Sequence, residues 1–224
     1  MTDKEHGTLN ILHEGSEAYN NMWQKVRSMW SYAYDNYYED YDWFHIGGDD
    51  MYVLVDNLRQ YLESDEIQSA ASIGHVLPSS RRKPLYLGER ISLKPGADEY
   101  NNMYNAGGSG YTINKATLKA MVIDCFPFFR PHRKSSKEDL FIGECLGKRH
   151  GVYPFVTRDD ENGERYVHLA PTFILGNAPE WYERYLTPPF IPGLHHFASR
   201  SISVHYIKPH VMKRIHGILY GWCK

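Results

Sequence analysis

From residue 16 to 38 the apolar side chains Met22, Val26, Met29, Trp30, Ala33 and Tyr37 recur at helical spacing and predict one long amphipathic helix. A short run over 42–46, Asp42-Trp43-Phe44-His45-Ile46, reads instead as a buried strand that stops at Gly47 and Gly48, with Asp49 and Asp50 just beyond. Leu54, Leu58, Tyr61 and Leu62 then return to helical spacing, so the two acids lie where a strand hands over to a helix. Residues 84–91 predict another strand, and the glycine-rich turn over 104–111 leads to a helix beginning near Asn114. Ser135 and Ser136 open a helix through Leu140, Phe141, Cys145 and Leu146, which Gly147 or Gly151 can stop. Residues 152–157 and 166–169 pair as strands about the Glu161-Asn162-Gly163 turn. Alternation over 201–207 predicts a last strand, and Pro209 starts a final helix through Val211, Ile215 and Leu219. Strands alternating with helices imply an α/β fold with a mixed sheet.

Composition narrows the function classes. The chain has 224 residues, 42% of them hydrophobic, enough to bury a core and too many for intrinsic disorder. With 25 Lys plus Arg against 27 Asp plus Glu, it lacks the charge of a dedicated nucleic-acid binder, and Arg81-Arg82-Lys83 reads as a solvated loop. No apolar run reaches membrane-helix length, and residues 1–10 are too polar for a signal peptide, so the expectation is a soluble globular protein. Cys125, Cys145 and Cys223 show no CxxC spacing; one bridge plus a free thiol and three reduced thiols both fit. The 18 Tyr and 5 Trp suit sugar rings or bases, and also simply build cores.

Three places carry candidate chemistry. Carboxylates at the Gly48-Asp49-Asp50 corner suit a hard divalent cation bridging a diphosphate, or merely complement a helix dipole. Glu138-Asp139 offers a general base, although Ser135-Ser136-Lys137-Glu138 also matches a capping box, which leaves Asp139 unexplained. His205, within the 201–207 strand, is a metal ligand or a packed core histidine. Cys125 and Cys145 bracket the Glu138-Asp139 segment, either bridged across it or as two buried thiols.

Taken in order, these motifs resemble a known family. Asp42-Trp43-Phe44, Gly48-Asp49-Asp50-Met51-Tyr52-Val53 and Asp56-Asn57-Leu58-Arg59 resemble the "DWF…DDDTYV…ENLR" block of the inverting β1,3-glycosyltransferases of family 31, with the likeness running to its core 1 β1,3-galactosyltransferases. Gly107-Gly108-Ser109-Gly110-Tyr111 resembles "GGAGY", and Ser135-Ser136-Lys137-Glu138-Asp139-Leu140 with Gly143 and Cys145 resembles "SSxEDLALGRC". Arg158-Asp159 with Gly163 and His168 resembles "SRDxxGxxxFH", and Ser203-Val204-His205-Tyr206 resembles "SFHY".

The resemblance implies a GT-A fold over residues 1–224 as a single catalytic region, a UDP-galactose donor, a glycoprotein or glycan acceptor, and Mn²⁺. It implies Asp50 and His205 as metal ligands, Asp49, Gly107 and Gly108 at the donor, Asp139 as base, and Trp181 and Tyr182 at the acceptor. It also implies the Golgi lumen, with the family's membrane anchor and first βαβ portion, which carries the uridine pocket, expected to be missing from this sequence. Departures are Gly48 in place of the triplet's first acid, Ile46 for a usual lysine, and His196 and Phe197 for paired cysteines. The other reading is a noncatalytic relative, chaperone-like or glycan-binding, for the family includes a chaperone-like paralogue without the acid triplet.

Overall fold

Helix α1 (Met22–Tyr37) forms where the periodicity predicts it, but its buried face is rotated. Trp23, Val26 and Trp30 are buried, whereas Tyr37 is exposed. The rings decide this: Trp23 meets Phe126, Phe129 and Phe141 edge-on at centroid separations of 5.6, 6.3 and 5.4 Å. Its Nε1 donates to the Arg130 carbonyl at 2.9 Å, so the polar end of the indole is also satisfied. The structure, a computed structural model, describes residues 13–72, 82–92 and 103–221; Arg81, Cys223 and residues 1–10 lie outside them.

Among the described residues the strands make three small sheets, and the fold is mixed α/β, consistent with a GT-A-like glycosyltransferase fold. Strand β1 (Trp43–Ile46) pairs antiparallel with β6 (Tyr111–Asn114), which pairs antiparallel with β3 (Tyr86–Gly88). Strand β2 (Tyr52–Val53) pairs antiparallel with β8 (Ser203–Val204), which runs parallel to β7 (Tyr166–Val167). Strand β4 (Arg90–Ser92) pairs with β5 (Met103–Asn105). The stretch predicted as one strand over 84–91 therefore divides at Glu89 between two sheets.

The helix expected near Asn114 is present with a strand before it, whereas the pairing expected of 152–157 with 166–169 is overturned. The glycine turn leads first into β6, and only then does Asn114 accept from the Thr117 N–H at 3.0 Å and cap α4 (Lys115–Lys119). Residues 152–157 form no ladder with 166–169; Phe155 bridges Leu87 instead. The hairpin fails because Asp159 Oδ1 takes the N–H groups of Glu161 and Gly163 at 3.1 and 2.8 Å while Oδ2 takes that of Ser199 at 3.1 Å. That tie carries the turn towards β8, and Tyr166 follows.

Helix α4 continues as a π-helical turn (Ala120–Cys125), and Cys125 is disulfide-bonded to Cys145 in α5 (Glu138–His150), which settles the open pairing. The capping box does not form. Ser135 Oγ accepts from the Lys137 N–H at 3.1 Å, while Glu138 turns inward to receive the Tyr111 hydroxyl at 3.2 Å. Helix α5 ends on Gly151 in the left-handed region at φ 61°. Helices α2 (Val55–Glu63), α3 (Asp65–Ala71), α6 (Pro171–Leu175) and α7 (Glu180–Tyr185) surround the sheets, and α8 (Pro209–Tyr220) begins at proline as predicted. Among the described residues no helix is long and apolar enough to cross a membrane.

Candidate active site

Backbone pairing brings the first acid and the histidine together. Tyr52 faces Val204 in the β2–β8 ladder, and beyond it the Ile207 N–H donates to the Asp50 carbonyl at 2.7 Å. Asp50 Oδ1 consequently lies 3.2 Å from His205 Nε2. On the other side of β8, the His205 N–H donates to the Val167 carbonyl at 3.0 Å, which sets His168 beside His205. His205 Nδ1 is 2.8 Å from the His168 carbonyl. A carbonyl only accepts, so Nδ1 donates to it, and the other ring nitrogen, Nε2, is turned towards Asp50.

That arrangement suits a divalent cation. One carboxylate and one imidazole nitrogen with its opposite edge held by a carbonyl form a ligand pair supported from behind. No third His, Cys, Asp or Glu completes a cluster among the described residues. Asp50 and His205 are thus the two residues here that could hold such an ion.

The glycine turn between β5 and β6 touches both halves of the site. The Gly107 N–H donates to Asp139 Oδ2 at 3.0 Å, and Leu140 N–H to Asp139 Oδ1 at 2.7 Å. A Cβ at Gly107 would lie 3.2 Å from Asp139 Cβ; one at Gly108 would overlap the His205 ring and lie 2.8 Å from His168 Cε1. Only a residue without a side chain lets this turn fill the space between the α5 acid and the two imidazoles. Burial raises the Asp139 pKa, with the two N–H donors pulling it back. Burial, and then the Asp139 charge, push Glu138 further up.

Asp49 is exposed at the corner of the β1–β2 turn, and Trp181 is half-exposed with its ring edge-on to His168 at 6.2 Å. Tyr182, by contrast, is wholly buried, so it cannot offer an acceptor surface: its ring lies nearly parallel to His168 at 6.4 Å and its hydroxyl bonds Glu89. Glu89 is fully buried, and its Oε2 receives the His168 N–H at 2.5 Å. Desolvation and the charge of Glu164 raise its pKa well above the usual range. Sequence reasoning missed both Glu89 and a role for His168. Their signals were slight: one acid inside an apolar run, and the last residue of a quoted motif.

Residues 4–158 match the Fringe-like family. The chain belongs to that family. It is 28% identical over 228 residues to glycoprotein-N-acetylgalactosamine 3-beta-galactosyltransferase 1 of Xenopus laevis, an alignment covering 98% of this chain and 56% of the relative. It is 29% identical over 139 residues to chondroitin sulfate synthase 3 of human and of mouse, covering 58% of this chain and 14% of each relative. The chain thus spans 56% of the galactosyltransferase relative and a small part of the synthases. Asp49, Asp50, Gly107, Gly108 and Asp139 fall inside the Fringe-like match, whereas His168, Trp181 and His205 lie beyond it. The fold, not the family match, brings those later residues onto the Fringe-like motifs.

Proposed function

We propose that the chain is the catalytic region of an inverting β1,3-glycosyltransferase, moving galactose from UDP-galactose to the 3-hydroxyl of O-linked N-acetylgalactosamine or a similar glycan. The observation that carries this reading is the glycine turn with Asp139 on one side and the Asp50–His205 pair on the other. Asp50 and His205 would hold a divalent cation, Mn²⁺ by the resemblance, which when bound neutralises charge on a diphosphate leaving group. Asp49 and the Gly107-Gly108 backbone face the donor sugar. Trp181 supplies an exposed aromatic face for the acceptor, with Tyr182 bracing it from inside.

In the reaction Asp139 accepts the proton of the acceptor 3-hydroxyl. The freed oxygen bonds to the anomeric carbon of galactose as that carbon's bond to UDP breaks on the opposite face, which inverts its configuration. The raised pKa makes Asp139 a stronger base than an ordinary aspartate, while the Gly107 and Leu140 N–H groups favour its charged form. The Cys125–Cys145 bridge accords with an oxidising compartment such as the Golgi lumen.

Gly48 favours a second reading, a noncatalytic glycan-binding relative, because it removes one acid from the corner. A UDP-release assay with UDP-galactose, Mn²⁺ and benzyl α-N-acetylgalactosaminide separates the two. We expect turnover that Asp139→Asn abolishes while UDP binding persists. Turnover surviving in Asp139→Asn would remove the base, and glycoside binding without any turnover would favour the second reading.

A further inference from the structure

The transferase reading uses one imidazole of the site and leaves its neighbour idle. His168 stands in a column of rings, its centroid 6.4 Å from that of Tyr182 and 5.2 Å from that of His205, with Tyr206 stacked on His205 at 3.8 Å. Beneath it, the fully buried Glu89 holds the His168 N–H at 2.5 Å and also bonds the Tyr182 hydroxyl. The ring therefore has a braced position.

Its nitrogens have no corresponding use inside the protein. Among the described residues His168 hydrogen-bonds only through its main chain, the N–H to Glu89 and the carbonyl from His205, and Nδ1 is shielded from solvent with no partner. A phenylalanine would fill the same place in the column without an unpaired buried nitrogen. Nor does His168 complete a metal site, since no three-ligand cluster exists among the described residues. The ring does, however, meet the half-exposed Trp181 edge-on at 6.2 Å and borders Gly108 in the centre of the site. An apolar aromatic face beside a group with one donor and one acceptor nitrogen is the pairing that a pyranose needs, with its C–H face on one and its hydroxyls towards the other.

We propose that His168 is a sugar-binding residue of this site, its imidazole hydrogen-bonding a hydroxyl of the acceptor pyranose that lies against Trp181. This rests on the site being a glycosyltransferase's, and it adds the residue that selects a hydroxylated ring over a merely apolar one. Glu89 and Tyr182 are the positioning residues behind it.

Isothermal titration of benzyl α-N-acetylgalactosaminide, with and without UDP and Mn²⁺, tests it on three chains: unaltered, His168→Phe and His168→Asn. Phenylalanine keeps the ring column, and we expect glycoside affinity to fall about tenfold, the loss of one hydrogen bond. Asparagine, with a donor and an acceptor, should recover part of it, and UDP affinity should stay unchanged in both. Equal glycoside affinity in His168→Phe overturns the proposal, as does a parallel loss of UDP binding, which would make the residue structural. An unaltered chain that binds UDP and no glycoside overturns it too. Glycoside binding that is lost in His168→Phe, in a chain that never binds UDP, would keep His168 as the sugar contact and refute the transferase reading alone.

Discussion

The Cys125–Cys145 bridge fastens the middle of α5, whose first turn presents Asp139, to the π-helical turn after α4. Replacing both cysteines with alanine frees a segment whose ends are 20 residues apart in sequence. The chain-entropy relation for a loop of about that size gives roughly 11 cal/mol/K of lost constraint, or about 3 kcal/mol at 25 °C. Both half-cystines are buried, so the smaller alanine side chains add some lost packing. A urea titration of the unaltered and double-alanine chains under oxidising conditions should therefore show the variant weaker by about 3 kcal/mol or slightly more. In excess reductant most of that gap should close, because the unaltered chain then loses the same constraint. A gap under about 1 kcal/mol in oxidising buffer, or one that reductant leaves untouched, would refute the role given to the bridge.

Gly108→Ala would press a methyl group onto the His205 and His168 rings. An overpacking penalty of about 1–3 kcal/mol should appear as roughly five- to 150-fold weaker Mn²⁺-dependent UDP binding, and unchanged affinity would contradict the crowding. Burial lowers the His45 pKa to about 4 from 6.5, so the unfolded chain takes up a proton that the folded chain refuses. The stability tied to neutral His45 is present above pH 6.5 and is lost as the pH falls towards about 4. Relative to His45→Gln, the unaltered chain should lose up to about 3 kcal/mol across that interval in denaturant titrations at stepped pH, and parallel pH profiles would refute this.

What could be read from the sequence was local. The α1 periodicity, the β1 run ending at Gly47, and the proline that starts α8 each depend on neighbours within a few residues, and each lies where the pattern predicts. Asp50, Asp139 and His205 were legible as chemistry because each falls in a motif whose residue types suit metal or proton chemistry. Their convergence was not legible, since it depends on β8 pairing with strands far away on both sides. Strand β6 was hidden because its four residues follow a glycine turn and precede an N-cap, and either signal alone suggests a helix start. The capping-box pattern misled at Glu138 because a buried tyrosine hydroxyl competes with the helix's own N–H groups. Tyr182 and its neighbour Trp181 look alike in a string, and only the helical phase of α7 turns one inward and the other out.

If Asp50 and His205 jointly hold a divalent cation, donor binding depends on that ion. Titration of UDP with and without Mn²⁺ into the unaltered chain and Asp50→Ala tests it most directly. UDP binding should require Mn²⁺ and disappear in Asp50→Ala with the fold intact by circular dichroism. UDP binding that is indifferent to Mn²⁺, or that survives in Asp50→Ala, would contradict it.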